Sequence, residues 1–301
     1  MTMTENARLM RQATYASVAV AGILIVTKLG AWLYSDSVAL LASLIDSTLD
    51  ALASLLNLVA VRQALVPADA DHRFGHGKAE ALAGLGQSAF VAGSALFLGF
   101  EAVHRLLMPQ PLEGGPIALG VMGISIALTL ALVLFQRHVV MRTRSVAITA
   151  DRLHYLGDLL SNAVVILALL GAAFGGPLWL DPLGGLAVAA IILKGAIDIL
   201  RHSFDQLMDR ELEDGEQDSI RKAVLAHPDV RGMHDLRTRR SGTHLFIQFH
   251  LELDPDITLR TAHRIAVDVQ NNLKTRFPDA DIIVHEDPGP DWMTPEQPQN
   301  Q

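Results

Sequence analysis

The distribution of apolar residues constrains this chain more than any single motif does. Six stretches, at about 14–34, 38–61, 79–107, 116–135, 146–174 and 183–200, are long and apolar. A hydrocarbon core of about 30 Å takes roughly 20 mostly apolar helical residues to cross. Helices are favoured there because they satisfy their own backbone without water. The sequence therefore predicts six membrane helices. With 50% hydrophobic residues, the chain carries far too much apolar material for a disordered protein. Arg8 and Arg11 precede the first stretch as they would in a signal peptide. Its length, Lys28 within it and the spans after it mark it instead as a membrane helix.

Orientation follows from the connectors. Those at 35–37, 109–115 and 175–181 contain neither Lys nor Arg. The other two carry Arg62, Arg73 and Lys78, and then Arg137, Arg142 and Arg144. Positive residues stay on the cytoplasmic side, so both termini are expected there.

After Arg201 the composition becomes that of a soluble protein. The reading is a membrane domain over 1–208, a small soluble domain over 209–290 and a disordered tail over 291–301. Within the second, 213–226 and 258–277 have helical spacing, and 230–239, 243–253 and 281–285 read as strands. The order α-β-β-α-β suggests an open sheet with helices on one face. Without cysteine, disulfides and thiolate metal sites are excluded. A net charge of −8 argues against a nucleic-acid partner.

Ionisable residues inside the spans carry the chemistry. Asp46 and Asp50 are four residues apart, one turn apart on one helix face. His154 and Asp158 repeat that spacing in the fifth span. A charged carboxylate at mid-bilayer costs about 2.5–3.5 kcal/mol on translocon scales. Four such groups on two facing helices can close around one ion, and a tetrahedral cation asks for four ligands. Three ionised carboxylates and a divalent cation leave one negative charge. The ligands must be deprotonated to bind metal, so metal release is expected to accompany proton uptake. The loop between the second and third spans reads Asp69-Ala-Asp-His72-Arg-Phe-Gly75-His76-Gly77-Lys78-Ala-Glu80. Asp69, His72 and His76 form either a second divalent-ion site or part of a solvated polar loop.

Together, Asp46-x-x-x-Asp50, the His72-x-x-Gly-His-x-Lys-x-Glu80 loop and His154-x-x-x-Asp158 resemble the signatures of the cation diffusion facilitators. The sequence is most similar to the bacterial zinc- and iron-efflux branch, over nearly its whole length. The resemblance implies a homodimer in the cell (inner) membrane with a ferredoxin-like cytoplasmic domain. It implies exchange of cytosolic Zn²⁺, or Fe²⁺ or Cd²⁺, for external protons by alternating access. Zn²⁺ would be both transported and regulatory, with no organic cofactor. By position, Asp46, Asp50, His154 and Asp158 match the family's transport site, and Asp69, His72 and His76 its loop site. His234, His250, His263, His285 and Asp287 match a binuclear site bridging two subunits, and Lys78 and Asp209 a salt bridge.

Independently of the resemblance, His234 and His250 lie on strands that can pair. His285 and Asp287, two residues apart on the last strand, can point to one side. The remaining histidines, His104, His138, His202, His227 and His244, are read as ordinary surface or loop residues. Gly84, Gly93 and Gly99 are expected to permit close helix packing.

Three other functions fit less well. A membrane-anchored metal sensor needs no buried charges in its anchor. A metalloenzyme keeps an open metal position, which four protein ligands would fill. A passive channel needs weak or multi-ion binding.

Overall fold

In a computed structural model of the chain, residues 3–36, 38–108, 116–173 and 179–289 are described. The lysine- and arginine-free connector at 109–115, residues 175–178 of the one at 175–181, and the tail at 291–301 lie outside these residues. The chain divides into two compact units, Met1–Phe204 and Asp205–Gln301.

The first unit is helical: α1 (Met3–Ser35), α2 (Val38–Ala64), α3 (Lys78–Leu107), α4 (Pro116–Thr143), α5 (Val146–Ala173) and α6 (Leu180–Leu207). All six are long and apolar enough to cross a membrane. Of these, α1, α2, α4 and α6 outrun the apolar stretches read from sequence by three or more residues, and even the 27 residues of α2 reach about 40 Å, more than the hydrocarbon core needs. The helices continue as polar ends past the hydrocarbon. Large side chains such as Leu33, Val26, Phe97 and Phe100 are about 70% exposed on the helix surfaces. In water such a surface would aggregate; in a bilayer it is the solvent-facing one.

Small residues set the approach of the helices. A Cβ at Gly99 of α3 would touch Ala189 of α6 at 3.7 Å, and one at Gly84 would clash with Ser203 and Val146. Gly93 has open space beside it among the described residues, so the close-packing expectation fails there: it faces away from the side of α3 where Val91 and Ala95 pack against Val188 and Ile192 of α6. At one end of the unit, Met10, Ala13, Val61, Val139, Ala147 and Ile148 join α1, α2, α4 and α5 in a buried cluster.

The second unit contains α7 (Asp214–Leu225), β1 (Gly232–Ser241), β2 (His244–Leu253), α8 (Leu259–Arg276) and β3 (Ala280–Pro288). β2 is the central strand, antiparallel to β1 and parallel to β3. Its Leu245, Ile247, Phe249, Leu251 and Leu253 form a core with Ile220 and Val224 of α7 and Ile265, Val269 and Leu273 of α8. Strand alternation leaves His250 and Glu252 on the opposite face. Thr258 caps α8 by accepting a hydrogen bond from the Thr261 N–H.

Candidate metal sites

Among the described residues, three groups bring imidazole and carboxylate ligand atoms within 4.8 Å of one another. They are Asp50, His154 and Asp158; Asp69, His72 and His76; and His234, His250 and Asp287.

The first group lies between α2 and α5. Arg144 adopts a left-handed turn at φ 53°, and the Ser145 hydroxyl then accepts from the Ile148 N–H to start α5. His154 and Asp158 follow on one helix face. His154 Nε2 stands 2.9 Å from Asp50 Oδ1 and 3.8 Å from Asp158 Oδ2. Ligand atoms sharing a tetrahedral Zn²⁺ lie about 3.4 Å apart, given metal–ligand lengths near 2.1 Å. The two observed separations bracket that value. His154 is 7% and Asp50 8% exposed. Asp46, one turn from Asp50, stays outside the cluster and is exposed. Beside its turn, Lys28 of α1 donates to Ser47 Oγ at 2.6 Å and to the Ser43 carbonyl at 3.2 Å.

The second group is built by a tight turn ahead of α3. The Asp69 carboxylate accepts from the backbone N–H of His72 at 2.6 Å and of Asp71 at 3.0 Å. The His72 hydrogen bond holds the Asp69 carboxyl below the usual carboxylate range. Gly75, at φ 76°, turns the chain so that the His72 and His76 rings come to 4.5 Å. Asp69 lies 3.5 Å from His72 Nδ1 and 3.3 Å from His76 Nε2. His76 Nδ1 is buried without a hydrogen-bond partner.

The third group comes from strand register. His234 pairs with His250 across β1 and β2, and His250 with His285 across β2 and β3. Three imidazoles therefore stand in one row, with ring centroids 5.0 and 4.6 Å apart. Asp287 lies 2.7 Å from His250, 3.4 Å from His234 and 3.2 Å from His285. A β-bulge after His234, with Asp235 at φ 47°, interrupts the pairing beside the row, which resumes at Arg237. His263 is on the exposed side of α8 and is not brought into this group.

Two carboxylates escaped the sequence reading. Glu252 lies 2.8 Å from His234 Nδ1 and is Asp287's cross-strand neighbour. Alternation along β2 from His250 could have revealed it. Asp151 is 1% exposed on α5, three residues before His154. Its position in a span was the available signal. Asp209 forms an ion pair with Arg239 at 3.3 Å within the second unit.

Comparison with known proteins covers both units. Residues 14–208 match the cation efflux transmembrane domain, and residues 212–289 the cation efflux protein cytoplasmic domain. Cation-efflux pump FieF of Shewanella oneidensis is 48% identical over 276 residues, 92% of this chain and 93% of that protein. Its namesake in Klebsiella pneumoniae is 45% identical over 281 residues, 93% of each chain. A solved MamM CTD structure shares 26% identity with a TM-score of 0.24, covering 25% of this chain and 95% of that one.

Proposed function

The chain belongs to the cation diffusion facilitator family, and from that premise we propose that it exports cytosolic Zn²⁺ in exchange for external protons. It is a multi-pass membrane protein and a divalent-cation efflux transporter, not an enzyme. Fe²⁺ and Cd²⁺ are the next cargoes in order. Three oxygen ligands and one imidazole suit these borderline ions, whereas Mg²⁺ and Ca²⁺ prefer more oxygens.

The observation that carries this reading is the convergence of Asp50, His154 and Asp158 from two apolar helices. Asp46 completes the tetrahedral set when an ion draws its carboxylate inward. Deprotonated carboxylates and a neutral imidazole bind the cation, and the vacated site takes up protons. Exposure of this site alternately to each side, both termini being cytoplasmic, makes the two fluxes one cycle.

The cytoplasmic row is read as a regulatory site. His263 stands apart from it within one chain, which suits a ligand given across a homodimer. The loop group at Asp69, His72 and His76 is read as a further binding site near the start of α3.

The test is Zn²⁺ flux in proteoliposomes under an imposed pH gradient, with internal pH followed in parallel. Zn²⁺ and protons should move in opposite directions. Zn²⁺ binding without flux would support the sensor instead, and flux indifferent to the pH gradient would remove the exchange.

A further inference from the structure

Asp151 is a buried carboxylate that belongs to none of the three metal groups. Its Oδ2 accepts from Ser17 Oγ of α1 at 2.6 Å and from Gln136 Nε2 of α4 at 2.7 Å. Its Oδ1 faces Ser54 Oγ of α2 at 3.5 Å. Ser54 also shares a hydrogen bond of 2.8 Å with the Tyr155 hydroxyl, which lies 3.3 Å from the Ser17 carbonyl. One carboxylate of α5 thus gathers polar groups from α1, α2 and α4.

The level of this layer matters. Ser54 is four residues from Asp50 on α2, and Asp151 three residues from His154 on α5. On both helices the layer is one turn from the metal-ligating residues. Lipid supplies no hydrophobic drive to hold two apolar helices at a set distance, so packing and interhelical hydrogen bonds set it. A functional constellation needs its groups held within about 0.5 Å. The ligands themselves cannot supply that constancy, because they exchange metal and protons in every cycle.

We propose that Asp151 is a positioning residue for the metal site: through Ser17, Ser54 and Gln136 it sets the spacing of α2 and α5 without touching the ion. This rests on Asp46, Asp50, His154 and Asp158 being the transport site. Loss of the layer loosens the spacing, weakens Zn²⁺ capture and favours the larger Cd²⁺. An asparagine at this position fits the same layer. Its oxygen can accept from Ser17 and Gln136, while its amide donates to Ser54, which turns its own hydroxyl to Tyr155.

The test measures Zn²⁺ and Cd²⁺ flux in proteoliposomes for wild type, Asp151→Ala, Asp151→Asn, Ser54→Ala and Asp50→Ala. Asp151→Ala should raise the KM for Zn²⁺ about 10-fold or more, as loss of an outer-shell partner does, with a smaller change in maximal rate. Its Zn²⁺-over-Cd²⁺ preference should fall. Asp151→Asn should restore both, with an unshifted pH profile. An unchanged KM and preference in Asp151→Ala would overturn the proposal. So would an Asp151→Asn as impaired as the alanine variant, with a shifted pH profile, because charge rather than position would then matter. If Asp151→Ala fails to assemble, Ser54→Ala decides: a smaller KM rise in the same direction supports the proposal, and no change overturns it. Wild-type flux in Asp50→Ala would overturn the transport-site reading itself. Inactive Asp50→Ala beside an unaffected Asp151→Ala would overturn the positioning role alone.

Discussion

His154 is the one nitrogen among the membrane ligands, and its neighbours are carboxylates. Replacing it by Asp makes the set all oxygen, which suits harder ions. His154→Asp should broaden selectivity toward Mn²⁺, read as the ratio of Mn²⁺ to Zn²⁺ flux. An unchanged ratio would remove His154 as the selecting ligand. Asp69 gives a pH expectation with a definite sign. Its carboxyl is held down by the His72 N–H, so its turn is intact above the ordinary carboxylate value of 3.8 and is lost only as pH falls through the depressed value. Metal lost from the loop between pH 7 and 5 should therefore leave the Asp69 turn in place, measurable by backbone amide shifts of His72. At this scale the sequence disclosed repeated spacings well, since i and i+4 share a helix face whatever the tertiary fold. It did not disclose Asp151 or Glu252. Neither belongs to a repeated pair, and each acquires its meaning only from partners on other elements.

Helix packing supplies the next expectation. A side chain at Gly84 would meet Ser203 Oγ at 2.6 Å and Val146 Cγ1 at 2.8 Å, whereas Gly93 meets nothing within 4 Å. Overpacking costs typically about 1–3 kcal/mol. Gly84→Val should lower the thermal midpoint in detergent, and Gly93→Ala should not; equal effects would contradict the packing described for α3. Both glycines look alike in sequence, because spacing identifies a helix but not which of its faces meets another helix. Strands were more legible. The alternation of His244, Phe246, Gln248 and His250 placed one face of β2 correctly. The register that aligns His234, His250 and His285 depends on pairing across three strands, so it emerged only in the fold.

For the whole molecule, the two-part organisation was visible because hydropathy changes sharply after the sixth span, and the family because the Asp46-x-x-x-Asp50, His72–Glu80 and His154-x-x-x-Asp158 motifs occur together. The homodimer is an expectation of the resemblance alone, since nothing in the local patterning read from this sequence marks a dimer seam. The regulatory reading is tested by His234→Ala combined with Asp287→Ala. Zn²⁺ should stabilise the wild-type dimer against thermal dissociation and have little effect on the double variant. An equal Zn²⁺ dependence in both proteins would dissociate the histidine row from dimer control.

The most direct measurement is Zn²⁺ flux in proteoliposomes for wild type and Asp50→Ala, with Zn²⁺ binding by the cytoplasmic domain checked in both. If the α2–α5 site carries the ion, flux in the variant falls to that of protein-free vesicles while cytoplasmic binding persists. Undiminished flux in Asp50→Ala would contradict the site between α2 and α5 as the path of the metal.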